Sequence, residues 1–314
     1  MSESTLTDRM IPLPGGTFTM GSAAFYPEEA PVRRASVSPF RIDAAPVTNA
    51  AFARFVAATG HVTTAEIAPD PRAYPGMLPE LAHPGSLVFE PSPGPVDLAS
   101  VSWWAFRLGA SWRTPLGPGS SLDGLADHPV VHVTHADALA YAEWAGKALP
   151  SEAEFEFAAR GGLDGAEYAW GHELAPDGAM LANYWQGGFP HANSLADGYL
   201  RTSPVGHYPA NGYGLFDMIG NVWEWTDDWF AQPKAEQKRA GTCCVPANPR
   251  GGTRGGSIAK QEAIRIPRKV LKGGSHLCAE DYCQRYRPAA RYAQPVDTST
   301  CHIGFRCVVR DEVG

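Results

Sequence analysis

The sequence predicts a single α+β domain with little regular secondary structure and long loops. Its 314 residues include 33 glycines and 28 prolines, about a fifth of the chain, and both residue types interrupt helices and strand ladders. Yet 44% of the residues are hydrophobic and nine are tryptophan, enough apolar surface for a packed core. No internal repeat or linker-like change of composition divides the chain. We therefore predict a tail at residues 1–9 and one domain at residues 10–311.

Three helices are predicted from capping residues and apolar spacing. In the first, apolar residues recur at intervals of three and four, the spacing of one helix face. The second and third open with a Ser or Thr followed three residues later by an acidic residue, a capping-box signature. The three segments run from Thr48 or Asn49 to Gly60, from Thr134 to Gly146 and from Ser151 to Gly161.

The strand-like runs are short and the segments between them are long. Apolar and β-branched residues cluster at 18–20, 131–133, 270–271 and 305–309, which favours strands. The stretches 68–95 and 242–268 are rich in proline or glycine and show no periodicity. We predict both as surface loops.

Charge and hydropathy exclude two classes of partner. A formal net charge of −7 argues against nucleic acid, which normally requires a basic face. No apolar run is long enough for a membrane span, and no secretory leader is evident, so we expect a cytoplasmic protein. Residues 250–291 carry ten Lys or Arg and three Asp or Glu. This segment is either a solvated basic loop or a groove wall that attracts a peptide.

Two of the six cysteines, Cys278 and Cys283, form the most informative pair. In the cytoplasm, cysteines are more often reduced thiols or metal ligands than disulfides. The nearby cations Lys272 and Arg285 favour the thiolate, and two thiolates suit Cu(I). On spacing alone, the pair is more typical of incidental buried thiols than of a metal site.

The surrounding motifs resemble the formylglycine-generating enzymes. The similarity begins with Gly-Gly-Ser-His-Leu-Cys-Ala-Glu-Asp-Tyr-Cys at 273–283 and continues to Ile-Gly-Phe-Arg-Cys at 303–307. Gly-Gly near the start and Gly-Asn-x-Trp-Glu-Trp belong to a broad superfamily with a C-type-lectin-like fold, whereas the two cysteines after Gly-Gly-Ser are specific to its oxidising branch. Further matching segments are 14–21, 47–52, 127–133, 145–154 and 220–225.

This resemblance implies a copper-dependent oxidase. Cys278 and Cys283 would bind Cu(I), with a substrate cysteine as the third ligand and O2 as the oxidant. The product would be Cα-formylglycine in an unfolded Cys-x-Pro-x-Arg segment of a sulfatase. Ser275 and Trp223 match family residues beside the copper and near the oxygen-binding pocket. Without the resemblance, Ser275 reads as a turn hydroxyl and Trp223 as a core residue.

The resemblance also implies two structural calcium sites. Oxygen donors on loops suit Ca²⁺, and side-chain and backbone oxygens occur here in two loop clusters. Asp217 stands where the family has Asn, and its added charge favours a cation. The first set of expected ligands is Asn183, Tyr184, Asp197 and Tyr199, and the second is Asp217, Gly220, Val222 and Glu224.

The chain departs from the family at the peptide-binding loop. Residues 294–299 read Gln-Pro-Val-Asp-Thr-Ser in place of Asn-Thr-Pro-Asp-Ser-Ser, and His302 replaces an Asn. We expect Arg291, Asp297 and His302 to bind substrate, with the Asp297 carboxylate pairing with the substrate's Arg.

These departures leave two alternatives. The first is a diverged oxidase of the same superfamily that acts on another thiol, and the second is a non-catalytic lectin-like binding module. Paired thiols count against the binding module, which has no need of them. The sequence gives no role for Cys243, Cys244 or Cys301.

Overall fold

The computed structural model describes residues 6–99, 101–232, 245–260 and 264–310. Its three helices confirm the capping predictions. Thr48 accepts the Ala51 N–H at 3.3 Å, and complete capping boxes open the second and third helices. Within the described ranges, no helix is long and apolar enough to cross a bilayer. The helices are α1 (Asn49–Thr59), α2 (His135–Trp144) and α3 (Glu152–Arg160).

Eleven short strands in the described residues form four small sheets. Three strands pair in the order β1-β4-β11 and four in the order β10-β7-β8-β9, and the hairpins β2-β3 and β5-β6 stand alone. Most pairs are antiparallel, but β10 runs parallel to β7. The strands are β1 (Met10–Leu13), β2 (Gly16–Met20), β3 (Arg33–Val37), β4 (Phe40–Asp43), β5 (Gly85–Phe89), β6 (Trp104–Leu108), β7 (Trp223–Trp229), β8 (Arg268–Lys272), β9 (Arg291–Pro295), β10 (Ile303–Gly304) and β11 (Val308–Val309).

Two of the strand and loop predictions were wrong. Residues 131–133 form no strand, because His132 adopts a left-handed φ of 61° and its buried ring bonds to Ser86 and the Pro115 carbonyl. The loop predicted at 68–95 contains β5, which pairs with β6. By contrast, the described residues of 242–267 hold one 3-10 turn at Gly255–Ser257. Cys243 and Cys244 lie outside the described residues.

Helix α3 joins the amino-terminal and carboxy-terminal halves of the domain. It packs against β2, β3, β7 and β8, and all nine of its residues are buried. Glu156 accepts hydrogen bonds from Arg160 at 2.7 Å and from Lys272 at 3.0 Å. The end of β8, where the predicted thiol loop begins, is therefore fixed to the centre of the molecule.

Most cations of the described part of the basic segment at 250–291 are paired, although Arg254, Lys260 and Arg265 are exposed. Lys272 and Arg287 are fully buried and pair with Glu156 and Glu29. Arg250 contacts two carboxylates at 2.7 and 2.9 Å. Much of this charge is thus balanced by acids from other parts of the chain.

Candidate active site

The two predicted thiols lie on a loop that begins at a double glycine. Gly273 and Gly274 follow β8 with φ values of 92° and 74°, a region that glycine enters without strain. A Cβ atom on Gly274 would lie 2.6 Å from the Arg285 carbonyl oxygen. This close approach folds residues 275–283 back on themselves, and turn hydrogen bonds to the backbone N–H groups of Cys278 and Cys283 then fix the loop.

Cys278 and Cys283 meet with their Sγ atoms 3.2 Å apart. Both are free thiols; Cys278 is buried and Cys283 is partly exposed. The hydrogen bond from Cys278 and the nearby Arg285 lower the pKa of Cys283 to about 7, while burial raises the pKa of Cys278. These shifts make Cys283 the thiol that ionises first, and two soft sulfur donors at this distance fit Cu(I).

A pocket of about 250 Å³ opens over the thiols. One wall is aromatic: Phe189 and Tyr282 stack with ring centroids 4.5 Å apart, and Trp103 packs edge-on against both. Trp223 and Ser275, the other predicted catalytic residues, line the same pocket. The structure thus brings all four predicted catalytic residues together.

His302 also lines this pocket. Its Nδ1 lies 2.6 Å from the Thr300 hydroxyl, its ring centroid lies 4.8 Å from that of Trp104, and its carbonyl accepts the Trp223 N–H at 2.9 Å. Burial holds the pKa of His302 well below its usual value. At neutral pH the pocket therefore contains an uncharged imidazole.

The other two predicted substrate residues lie outside the thiol pocket. Arg291 forms an ion pair with Glu152 at 2.6 Å and packs over the Phe230 ring. Asp297 lines a second, larger groove of about 860 Å³, where one carboxylate oxygen accepts the Tyr74 hydroxyl at 2.6 Å. Leu87 and Thr298 border both cavities, so the groove adjoins the pocket.

The first oxygen-rich cluster surrounds Asn183. The Asn183 Oδ1 atom is buried and has no hydrogen-bond partner, whereas its Nδ2 donates to the Arg201 carbonyl at 2.7 Å. Asp197 accepts backbone hydrogen bonds from Tyr184 and Tyr199, and burial raises its pKa. An unpaired amide oxygen together with an unfavourably buried carboxylate fits a cation.

In the second oxygen-rich cluster, part of the negative charge is already neutralised. Both oxygens of Glu224 accept hydrogen bonds from Arg306 at 2.8 Å, so a cation would share this carboxylate with a guanidinium. Asp217 accepts the Gly206 N–H at 2.8 Å, and burial raises its pKa. Gly220 and Val222 lie on the turn that leads into β7, and Val222 directly precedes the strand.

Neither cluster is a preformed site of converging acids and imidazoles. Among the residues that the structure describes, no three His, Cys, Asp or Glu side chains converge as a metal-binding group. The thiol site offers two sulfur ligands, and the oxygen clusters depend on amide and carbonyl groups. Each therefore needs further ligands from backbone, solvent or substrate.

Sequence reasoning missed the aromatic wall and the surroundings of Arg285. Arg285 donates to the Cys283 Sγ at 3.7 Å, and its guanidinium lies 3.7 Å above the Tyr26 ring centroid. Adjacent tryptophans at 103 and 104 were a usable signal for a ligand-facing wall. Nothing in the sequence links Tyr26 to Arg285, which lies more than 250 positions away.

The fold and pocket define a single-domain, loop-rich protein with a thiol pair at the base of an aromatic pocket. The family model for the sulfatase-modifying factor enzyme 1-like domain matches residues 1–311. The chain therefore belongs to the sulfatase-modifying factor, or formylglycine-generating enzyme, family.

Individual relatives agree with this assignment. A formylglycine-generating enzyme of Mycobacterium tuberculosis is 52% identical over 95% of this chain and 97% of its own length. A Bos taurus relative named inactive C-alpha-formylglycine-generating enzyme 2 is 36% identical over 96% of this chain and 88% of its own. PvdO from Pseudomonas aeruginosa has the same fold, with a TM-score of 0.63 at 22% identity, over 96% of this chain and 94% of its own. Since the family includes both active and inactive names, activity has to be argued from the site.

Proposed function

We propose that this protein oxidises a cysteine in a Cys-x-Pro-x-Arg segment of a sulfatase to Cα-formylglycine, with Cu(I) and O2. The observation that carries the proposal is the pair of free thiols, with Sγ atoms 3.2 Å apart, at the base of a pocket that also contains Trp223 and Ser275. A non-catalytic binding module has no need of such a pair.

Cys278 and Cys283 are the residues that would hold the ion. Bound copper would supply the one-electron chemistry that couples O2 reduction to oxidation of the substrate's Cβ. Both sulfurs would bind the ion as thiolates, so Cys278 and Cys283 would together give up the proton between them. The aromatic wall of Trp103, Phe189 and Tyr282 limits water around the substrate sulfur.

The balance of the reaction defines the other reactants. Converting the CH2–SH group and one water molecule to an aldehyde and hydrogen sulfide removes two electrons and two protons from the substrate. Full reduction of O2 to two water molecules takes four electrons and four protons, so two further electrons and two protons have to be supplied. We propose an external thiol as the reductant, which becomes a disulfide.

The second groove would hold the chain that follows the substrate cysteine. It adjoins the thiol pocket at Leu87 and Thr298, and we propose that an extended segment passes from one cavity to the other. Asp297 presents a carboxylate in this groove, the group that best pairs with a guanidinium. We propose that it binds the substrate's Arg.

We also propose structural Ca²⁺ at the two oxygen-rich clusters and a reducing compartment, the cytoplasm. The unpaired Oδ1 of Asn183 supports the first calcium site. The second site rests on the family resemblance and on the buried Asp217 carboxylate. Free thiols at Cys278, Cys283, Cys301 and Cys307 agree with a reducing location.

The decisive experiment is mass spectrometry of a Cys-x-Pro-x-Arg peptide after incubation with Cu(I)-loaded protein, O2 and a thiol reductant. We expect the mass to fall by the difference between a CH2–SH group and an aldehyde, and the product to react with a hydrazide. A peptide with Ser in place of Cys is the control. Turnover of small thiols without peptide turnover would indicate the diverged oxidase, and copper binding without either would indicate a binding module.

A further inference from the structure

A segment near the amino terminus covers the arginines that follow the thiol pair. This segment, residues 22–31, is called the arm here, and it includes a 3-10 turn at Pro27–Glu29. Two of its aromatic rings stack on two guanidiniums: Tyr26 on Arg285, 3.7 Å from the ring centroid, and Phe25 on Arg287, at 3.6 Å. The arm thus forms two adjacent aromatic contacts of similar geometry.

The two arginines differ in what they contact at their other ends. Arg287 is fully buried and its guanidinium nitrogens pair with Glu29 of the arm, which makes it part of the core. Arg285 pairs with Glu28 at 2.6 Å through one nitrogen and donates to the Cys283 Sγ at 3.7 Å through another. Its remaining Nε–H is buried without a hydrogen-bond partner.

The unsatisfied hydrogen bonding of Arg285 indicates that it is oriented toward the thiols at some cost. A free guanidinium would turn its five N–H donors toward solvent or carboxylates. Here the Tyr26 ring covers one face of the guanidinium plane, and Glu28 holds one end. These two contacts leave the opposite edge directed at the sulfur.

We propose that Tyr26 is a positioning residue that holds the Arg285 guanidinium against Cys283, where its charge stabilises the anionic copper–thiolate centre. The inference rests on the proposed copper site. A Cu(I) ion with two thiolates carries a net charge of −1, and a third thiolate from substrate makes it −2. In a partly buried pocket an adjacent fixed cation is effective compensation, since the local dielectric is low.

Tyr26 is the informative position because it is uncharged. Removing Glu28 would alter both the orientation of Arg285 and the net charge near the sulfur, and these effects oppose each other. Removing the Tyr26 ring changes no charge, although it also removes the hydrogen bond that the Tyr26 hydroxyl accepts from the Gln284 N–H at 3.0 Å. Tyr26→Phe removes that hydrogen bond alone and so separates its effect from the loss of the ring. Phe25 supplies a matched control, because it makes the same kind of contact in the same arm but to Arg287.

The test is Cu(I) affinity, measured anaerobically by competition with a chromophoric Cu(I) chelator, together with the melting temperature. We expect Arg285→Gln to weaken Cu(I) binding by about 10- to 100-fold and Tyr26→Leu by about tenfold, the range seen when groups outside the first ligand shell are lost. Phe25→Leu should stay within about twofold of wild type, and Tyr26→Phe, which keeps the ring, within about threefold.

A double-mutant cycle shows whether Tyr26 acts through Arg285. In an Arg285→Gln background, Tyr26→Leu should have no further effect on affinity, because coupled residues are non-additive. Equal weakening by Tyr26→Leu with and without Arg285, or equal effects of Tyr26→Leu and Phe25→Leu, would overturn the inference. If wild-type protein binds no Cu(I), the proposed function fails instead, so the two failures are distinguishable.

Discussion

The thiol pocket and the oxygen-rich loops are both candidate metal sites, but they satisfy their polar groups differently. In the pocket, two side chains face each other: the Cys283 Sγ, whose pKa is lowered to about 7, lies 3.7 Å from a guanidinium nitrogen of Arg285. In the loops, Asp197 accepts hydrogen bonds from the Gln186 side-chain amide and from backbone N–H groups, and Asp217 accepts one from the Gly206 N–H. Burial raises the pKa of each carboxyl.

An ion should therefore affect function more at the thiol pocket and stability more at the oxygen-rich loops. A soft ion in the pocket would bind two ligands that the protein already holds together, so it should add little to the stability of the fold. A hard ion at the loops would relieve carboxylates whose burial is unfavourable, so the fold gains from it. We therefore expect copper to control activity and calcium to control stability.

The largest expected effect is the loss of copper when either thiol is removed. Cys278→Ala and Cys283→Ala should each lower Cu(I) affinity by more than about 100-fold, since even second-shell losses reach that size, and should abolish peptide oxidation. Bound copper per protein, measured by elemental analysis, and peptide turnover are the readouts.

Cys243→Ala is the control for these thiol variants, and it should keep both copper and activity. The Cys278 and Cys283 variants should lose their copper but show only a small change in melting temperature. A double variant that retains one copper per chain would contradict the assignment of the pocket as the copper site.

Calcium removal should change stability more than activity, the reverse of what is expected for the thiol variants. EGTA should lower the melting temperature by about 5–11 °C, since an ion at about 100 times its Kd stabilises by about 2.7 kcal/mol and 1 kcal/mol corresponds to roughly 2–4 °C. Activity at 25 °C should change little once the protein is folded.

The contribution of each calcium site to the melting temperature can be measured with single variants. Asn183→Ala should remove most of the calcium-dependent shift, because this residue supplies the unpaired Oδ1. Glu224 already pairs with Arg306, so its cluster should contribute less. An identical melting curve with calcium and with EGTA would argue against both sites.

A smaller effect of the same kind is expected at Asp217. Its pKa is raised by burial, so in EGTA the charged carboxylate destabilises the fold, and Asp217→Asn should raise the melting temperature by about 2–4 °C. Asn suits the left-handed φ of 52° at this position. With saturating calcium the sign should reverse, because a charged ligand is lost; a gain in both conditions would mean that Asp217 binds no cation.

The helices were predictable because their signals are local. A capping residue and a terminal glycine specify α1, α2 and α3 within one or two residues, and an acidic partner three positions after the cap adds to the signal for α2 and α3. β5 was missed because its pairing partner β6 is supplied from beyond a proline-rich segment. The false strand at 131–133 was decided by the tertiary contacts of the His132 ring.

The candidate site also combines residues with a local sequence signal and contacts that only the tertiary structure sets. Cys278, Cys283 and Ser275 lie within nine residues of one another, so motif and spacing could identify them. The contact of Tyr26 with Arg285 and the meeting of Tyr74 with Asp297 join distant parts of the chain. These pairings follow from packing, and no spacing in a single sequence encodes them.

Asp297 offers the smallest effect and tests whether the second groove belongs to the same reaction as the pocket. One of its oxygens accepts the Tyr74 hydroxyl at 2.6 Å, which leaves the other for a substrate guanidinium. With one oxygen available at a partly exposed site, the pair is worth about 1 kcal/mol or less. The interaction is expected to be equally strong in the bound substrate and in the transition state, because it is remote from the sulfur.

Asp297→Asn should therefore raise KM for a Cys-x-Pro-x-Arg peptide by about three- to fivefold and leave kcat nearly unchanged, the pattern of lost uniform binding. Asn keeps the size of the side chain and can still accept the Tyr74 hydroxyl, so the change is confined to charge. The same kinetics with a peptide carrying Ala in place of Arg supply the comparison. If the carboxylate pairs with that Arg, the substitution should leave the Ala peptide unaffected, whereas equal weakening of both peptides would show that Asp297 does not recognise the Arg.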